Sequence, residues 1–392
     1  MKFHLAYFLT LLLTIADPSK AVYTATCFNG TIKAAGSTVV YPFADKWATS
    51  FKALCSKANV TLFQGGTTAG AKRVCGDTTL GPVDIGMLAR EWKSTEAMKQ
   101  SDGYTFNCLI GNTTRQVAQI AVDNDAAVFI VKADPPSKPA APKQAPVKPA
   151  KPAPSKPVPS KPVAITGPPV AGCISKLGSL SKDQLRWIYS NYTVSQLKQS
   201  GWKNTSLPNS DGNDSTHLWS ELDSDCPKTE VLIVGTGSDS TFGEWDFVRT
   251  TILTNATEGY RSAYVAKTNR SAVNDYVVQN FGAIGFDNFV TGLSTSTTKA
   301  VAIKNPTSGA AVVPSASTVQ DGSYSPFSRV TYMNVLKNNC TALKSGINYV
   351  EYGLSPNGQA NVSQAGGVPL TTAQISVGTT TISALRSYTG CT

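Results

Sequence analysis

Hydrophobic and polar positions along the chain follow the two periods of regular structure. Val122 to Val131 reads V-D-N-D-A-A-V-F-I-V, a mostly apolar run of the length expected for a buried strand. Leu180 to Tyr189, L-S-K-D-Q-L-R-W-I-Y, instead places Leu180, Leu185, Ile188 and Tyr189 at helical spacing, with Ser181 where an N-cap hydroxyl belongs. Glu230 to Val234 predicts a short β-branched strand running into the glycines of G235-T-G-S-D239, and Lys344 to Gly353 returns to the helix period. Strand, glycine turn and helix, repeated, predicts an α/β architecture whose ligand lies at the loops between strands and helix starts.

Two stretches break this pattern. Residues 1–21 begin Met1-Lys2, continue through an apolar run from Leu5 to Ile15 and end near the small residue Ala21, which is the pattern of a secretory signal peptide. No later stretch approaches the roughly 18–20 uninterrupted apolar residues of a membrane span, so a soluble, exported mature chain at the cell surface or beyond it is expected. Residues 134–170 hold thirteen of the 23 prolines together with Lys138, Lys143, Lys148, Lys151, Lys156 and Lys161. Proline removes amide donors and disfavours helix before it, so a disordered, extended insertion reaching about 100 Å is predicted. It serves either as a spacer or as a contact with an anionic wall or matrix polymer or a Pro-recognising domain.

The chain has 392 residues and is 41% hydrophobic, sufficient for two domains with substantial cores. Its formal charge is +10, but residues 1–21 carry a net +1 and residues 135–170 a net +6, which leaves the rest at +3. A near-neutral folded body with one basic segment excludes an ordinary nucleic-acid-binding domain. With His4 inside the signal, His217 is the one histidine of the mature chain, placed by the polar run S210-D-G-N-D-S-T-H217 in a solvated loop. Multi-His metal sites are excluded, no G-x-S-x-G elbow is present, and neither an enzyme nor a cofactor is expected. Eight cysteines without a C-x-x-C pair favour disulfides, with neighbours in sequence such as Cys173–Cys226 and Cys340–Cys391 preferred among the 105 connectivities. Ten N-x-S/T acceptors, at Asn29, Asn59, Asn112, Asn191, Asn204, Asn213, Asn255, Asn269, Asn339 and Asn361, favour a eukaryotic secretory route.

Candidate chemistry lies in three Gly/Ser/Thr-rich turns, A35-G-S-T-V-V-Y-P42, Q64-G-G-T-T-A-G-A-K-R73 and G235-T-G-S-D-S-T-F242, each where a strand passes into a helix. Such turns let amides and hydroxyls converge on an oxyanion beside a helix N-terminus. G235-x-G237 lacks the third glycine of a dinucleotide fingerprint and no turn carries G-K-[S/T], which disfavours nucleotides.

These blocks resemble the substrate-binding proteins of ABC phosphate importers. G36-S-T-V-V-Y-P42 with K46-W47 is similar to that family's opening G-S-S-T-V-x-P loop, and G66-T-T-A-G-A-K-R-V-C75 to its S-G-T-G-G-G-x-K-R-F-C. V83-D-I-G-M-L-A-R90 resembles D-I-x-x-A-S-R, and G235-T-G-S-D-S-T-F242 resembles G-P-G-x-D-S-G-T-F. F281-G-A-I-G-F286, Y324-S-P-F-S-R329 and N357-G-Q-A-N-V-S-Q-A-G-G-V-P-L370 follow in the family's order, so the resemblance runs from about Gly36 to Leu370.

The resemblance implies a two-lobed type 2 periplasmic-binding-protein fold with a hinge. The lobes are expected at 22–125 plus 320–392 and at 126–319. It further implies a monomer that captures inorganic phosphate with Thr38, Val39, Thr67, Thr68, Arg90, Asp239, Ser240 and Thr241, and a membrane phosphate transporter as partner. Two departures weaken the match: Ala89 replaces a serine hydroxyl, and the glycine of S-G-T is absent from Asp239-Ser240-Thr241-Phe242. Losing one neutral hydrogen bond costs about 0.5–1.5 kcal/mol, around tenfold in affinity. Local sequence leaves other roles open: Thr38 and Thr67 as turn hydroxyls, Arg90 in an ion pair with Glu91 or Glu96, and Asp239 as an N-cap rather than an acceptor for a phosphate proton. Arg329 is expected to brace the hinge, and Trp47, Trp187 and Trp202 to pack in cores.

Overall fold

The structure, a computed structural model, describes residues 24–133, 170–202, 216–237, 243–254, 257–289, 292–293 and 295–391. The signal segment, the Pro/Lys segment over 134–169 and the Asp239-Ser240-Thr241 turn lie outside these residues. Val170, counted with the Pro/Lys segment by its sequence, instead opens a helix and is buried.

The first stretch runs β1 (Gly30–Gly36), α1 (Tyr41–Leu54), β2 (Ala58–Gln64), α2 (Gly66–Val74), β3 (Ile85–Leu88), β4 (Ala97–Lys99), β5 (Thr105–Cys108) and β6 (Gln116–Lys132). It is followed by α3 (Val170–Leu177), α4 (Lys182–Tyr189), α5 (Val194–Gln199), β7 (Leu232–Thr236), α6 (Gly243–Ile252), β8 (Val265–Lys267), α7 (Arg270–Gln279) and β9 (Ala283–Asn288). The short β10 (Thr298–Ala300), β11 (Ile303–Lys304), β12 (Ala311–Val312) and α8 (Ala316–Gln320) lead to β13 (Ser328–Leu336), α9 (Cys340–Leu354), α10 (Pro356–Gln364) and α11 (Thr372–Arg386).

Among the described residues one sheet runs in the order β2-β1-β3-β13-β6-β9-β7-β8. The β1–β2, β1–β3, β7–β8 and β7–β9 pairs are parallel. Antiparallel β6 and β13 join the two parallel halves. The first part of β6 pairs with β13, Val117 opposite Leu336 and Ala126 opposite Ser328, and its last part pairs with β9.

Two large apolar clusters sit on the two halves. One contains Trp47, Phe51, Ile85, Met87, Val122 and Tyr349, and the other Ala126, Phe129, Trp187, Tyr189, Val234 and Phe286. They part company within β6 at Asp123-Asn124-Asp125, the polar triplet inside the apolar run. Asp123 is fully buried, and burial reinforced by the Asp125 charge pushes its carboxyl well above the usual range. This two-lobed arrangement, with β6 and β13 as its crossing strands, agrees with the architecture expected from the sequence.

Local choices agree with that topology. Ser181 caps α4 in a full capping box with Gln184. Gly36 has φ +142°, and a Cβ there would stand 2.1 Å from the Met87 carbonyl oxygen; one at Gly70 would meet the Ala35 and Met87 carbonyls below 3.0 Å. These two glycines let α2 rest directly on the ends of β1 and β3. All eight cysteines pair with sequence neighbours, Cys27–Cys55, Cys75–Cys108, Cys173–Cys226 and Cys340–Cys391. Trp47, Trp187 and Trp202 are buried.

His217 corrects its sequence reading as a solvated loop residue. Its ring stacks on Trp187 with centroids 4.1 Å apart, and its backbone carbonyl accepts from the Val231 amide at 2.7 Å. The polar run before it concealed this, because the apolar surface that covers the ring comes from α4. Burial, assisted by the Arg261 charge, pushes the imidazole down to about 3 from an ordinary 6.5. The unfolded chain therefore takes up a proton before the folded one as pH falls. The resulting stability is complete above about pH 6.5 and drains away toward pH 3, at up to about 1.4 kcal/mol per pH unit. The buried Glu244 and Glu258, both held below the usual carboxylate range, lose their contributions only at lower pH, whereas the raised carboxyls of Asp123 and Asp125 take up protons in the folded chain first and act in the opposite direction, so between about pH 6.5 and 4.5 the histidine is read as the difference between parent and variant. His217→Phe, which keeps an aromatic ring on Trp187, is expected to lower the slope of the urea midpoint against pH in that window relative to the parent; an unchanged slope would mean that another group carries it.

Candidate functional site

The described parts of the predicted turns meet at the seam between the lobes. At the end of β1, the Ser37 amide donates to the Met87 carbonyl at 2.9 Å and the Ser37 Oγ accepts from the Val39 amide at 3.1 Å, which holds Thr38 at the surface of the turn. Thr67, in the first turn of α2, is buried, and its Oγ1 accepts from the Ala89 amide at 3.1 Å. Across the seam, α6 starts at Gly243. A Cβ placed there would lie 3.3 Å from both Ala89 Cβ and Thr67 Oγ1 and 3.8 Å from Arg329 Nη1. A Cβ at this position would crowd the Thr67 and Ala89 side chains, and glycine leaves the α6 N-terminus in close approach to the two turns.

Arg270, the first residue of α7, also spans the seam. Its Nη2 donates to Thr38 Oγ1 at 3.3 Å and to Glu244 Oε1 at 2.7 Å, and its Nε lies 3.2 Å from Asp287 Oδ1. Glu244 is fully buried and its Oε2 has no hydrogen-bond partner. Burial pushes this carboxyl up, but the Arg270 and Arg329 guanidinium groups more than offset that and hold it below the ordinary range. Arg329 ties the hinge to the same place: Nε and Nη2 donate to Asp125 Oδ2 at 2.9 and 2.7 Å, Nη1 donates to the Gly243 carbonyl at 3.0 Å, and the guanidinium lies 4.5 Å from the Phe247 ring centroid.

Arg90 stands at the rim, its side chain 14% exposed. Nη1 and Nη2 donate to the two Glu96 oxygens at 2.8 and 2.9 Å, Nη1 also donates to the Glu91 carbonyl, and Nε donates to Asp246 Oδ2 of α6 at 3.2 Å. Four of its five N–H groups thus have protein acceptors. Lys93 reaches the same Asp246 carboxylate at 3.1 Å. Among the described residues the seam sets the cations Arg90, Lys93, Arg270 and Arg329 against the carboxylates Glu96, Asp125, Asp246, Glu244 and Asp287. Each cation has an anionic partner, so an entering anion competes with carboxylates already in place.

Of the residues nominated from sequence, the fold brings Thr38, Val39, Thr67 and Arg90 to the seam. Thr68 lines a groove with Gln64, Lys72, Arg73 and Leu80 instead. Asp239, Ser240 and Thr241 lie outside the described residues, flanked by Gly237 and Gly243. Sequence reasoning missed Arg270 and Glu244, which belong to no motif match. Asp125 and Asp287 carried a fainter signal, as carboxylates inside apolar strands.

A family profile described as a PBP superfamily domain matches residues 21–103. No curated protein matches the sequence. Among solved structures, a possible phosphate binding protein from Planctomyces limnophilus superposes with a TM-score of 0.54 at 17% identity, covering 91% of this chain and 99% of the other. A putative phosphate ABC transporter substrate-binding protein with bound phosphate from Clostridium perfringens gives 0.52 at 16%, covering 87% and 100%. An ABC-type phosphate transport receptor from Vibrio cholerae gives 0.52 at 15%, covering 86% and 99%. From the two lobes, the crossing strands and superpositions that cover most of its length, the chain has the type 2 periplasmic-binding-protein fold.

Proposed function

We propose that this chain is an exported, non-catalytic solute-binding protein that captures inorganic phosphate between two lobes, taken as 22–125 plus 320–392 and 126–319. The observation that carries the reading is the convergence of the Thr38 and Thr67 turns, the α6 N-terminus and Arg270 on one seam spanned by a hinge. Hydroxyls, amides and a guanidinium placed together in a poorly solvated space are what a tetrahedral oxyanion needs. The proposed ligand set keeps Thr38, Val39, Thr67 and Arg90 and the Asp239-Ser240-Thr241 turn, adds Arg270, and leaves out Thr68, which lines another groove. Arg90, with four N–H groups already engaged, contributes one donor rather than a bidentate fork. Binding closes the lobes about β6 and β13. A membrane transporter is the partner this role calls for.

The pairing of every described seam cation with a carboxylate favours a second reading, in which the fold persists in an extracellular matrix or wall protein attached through its Lys-Pro segment. Isothermal titration separates the two. Saturable heat below millimolar phosphate is expected for the binding protein, and no heat at millimolar phosphate, arsenate or sulfate would favour the structural role.

A further inference from the structure

We propose that Asn269 is an N-glycosylation site at the mouth of the interlobe seam, and that Asn361 is left unmodified. The proposal rests on the exported reading and on the different ways in which the fold uses the two amides. Glycosylation joins Nδ2 to the anomeric carbon of the first sugar. Nδ2 loses one hydrogen as a proton, and the bond from that carbon to its polyprenyl diphosphate breaks, with the electron pair leaving on the diphosphate. The product is still an amide, so Oδ1 remains a full acceptor while Nδ2 keeps one N–H.

Asn269 suits that change. It is exposed, and as the N-cap of α7 its Oδ1 accepts from the Ala272 amide at 2.9 Å, a bond that glycosylation leaves intact. Asn339 uses the same geometry at the start of α9, with Oδ1 accepting from Ala342 at 3.0 Å, and Asn112 spends its Oδ1 on Thr114. Asn29 is exposed as well. Asn361 differs in the atom it commits. Its Nδ2 donates to Ser50 Oγ at 3.3 Å and Tyr352 Oη at 3.2 Å in a groove between α1, α9 and α10. A sugar on that nitrogen would have to occupy the space of Ser50 and Tyr352 and would open the contact between α1 and α10.

The position of Asn269 gives its glycan a consequence for the seam. The next residue, Arg270, crosses to Thr38 of the other lobe, so a glycan rooted at Asn269 stands one residue from the contact through which the lobes meet. The exposed acceptors Asn29, Asn112 and Asn339 serve as internal references for the route, since a glycan on any of them shows that the chain passed through it.

The test is secretion of the full chain from a yeast host, glycopeptide mass spectrometry of every acceptor, and the variants Ser271→Ala and Asn361→Gln. Ser271→Ala removes the acceptor sequence while keeping the Asn269 cap. Asn269 is expected to be occupied, Ser271→Ala to lose the mass of one glycan with an unchanged melting temperature, and Asn361→Gln to lose none. An unmodified Asn269 beside occupied Asn29, Asn112 or Asn339 overturns the proposal and leaves the exported reading standing. A chain that is not secreted and carries no glycan overturns both. A glycan on Asn361 in folded, secreted protein overturns the distinction drawn from the committed nitrogen.

Discussion

Replacing Glu244 with glutamine is expected to raise the affinity of the seam for tetrahedral oxyanions, and to raise it more for sulfate than for phosphate. Glu244 is buried, pairs with Arg270 through Oε1 and leaves Oε2 without a partner. An anion drawn to Arg270 meets this carboxylate at close range. For each unit of charge at roughly 5 Å and an effective dielectric near 20, the repulsion is about 3 kcal/mol, on the order of a hundredfold in affinity. Sulfate carries no proton near neutral pH and suffers the whole penalty. Phosphate carries one or two, and a P–O–H group donating to Oε2 regains about 0.5–1.5 kcal/mol that the glutamine variant forfeits in part. The gain for Glu244→Gln should therefore be at least about a hundredfold for sulfate, and for a phosphate of the same charge smaller by the roughly two- to tenfold that the lost hydrogen bond is worth. Competition titrations at fixed ionic strength measure both. If neither ligand binds more tightly to the variant, the anion does not approach Glu244 and the seam is not the site.

The second large effect concerns stability. Glu258 is buried and accepts from Arg186 Nε at 2.7 Å and Nη2 at 2.6 Å, from Ser190 Oγ at 2.7 Å and from the Thr254 amide at 3.0 Å. Burial pushes its carboxyl up, but the Arg186 and Ser190 hydrogen bonds outweigh this and hold it below the ordinary range. Glu258→Ala strands the Arg186 charge, which is 3% exposed, beside Trp187 and Tyr189, and is expected to cost about 3–5 kcal/mol in urea unfolding. Replacing Arg186 by methionine in the same chain removes the stranded charge, so the double variant should recover a large part of the loss. A cost under about 1 kcal/mol for Glu258→Ala would mean that water reaches the pair. The sign with pH follows from the lowered carboxyl: its contribution is full above the ordinary glutamate range and is lost as pH falls through the folded value.

The glutamate pair and the seam illustrate how unequally the two levels of structure were legible. Val122 to Val131 announced a buried strand, and β6 is one. Leu180 to Tyr189 with Ser181 announced a capped helix, and α4 carries the full capping box. The glycine turns placed strand ends before the starts of α1, α2 and α6, which is where the structure has them. Each of these features depends on residues within about ten positions of one another, so periodicity, cap chemistry and turn chemistry suffice to specify it.

Arg270 and Thr38 are 232 positions apart, Arg90 and Asp246 are 156, and Arg329 and Asp125 are 204. No local pattern relates the members of such pairs. Motif blocks singled out Thr38, Arg90 and Arg329 one at a time, but nothing in their neighbourhoods names the partner that each meets. His217 was misread for the same reason, since the Trp187 face that buries it comes from thirty residues earlier in the chain. Sequence by itself marked several of the main elements, favoured the sequence-neighbour disulfides that the structure forms, and singled out the turns whose described parts meet at the seam. The closing of two lobes about β6 and β13 decided which charges meet. Only there does burial remove the water that would otherwise keep each of them independent, so that Arg90 and Lys93 reach Asp246 across the seam while Arg270 and Arg329 pair with carboxylates beside it.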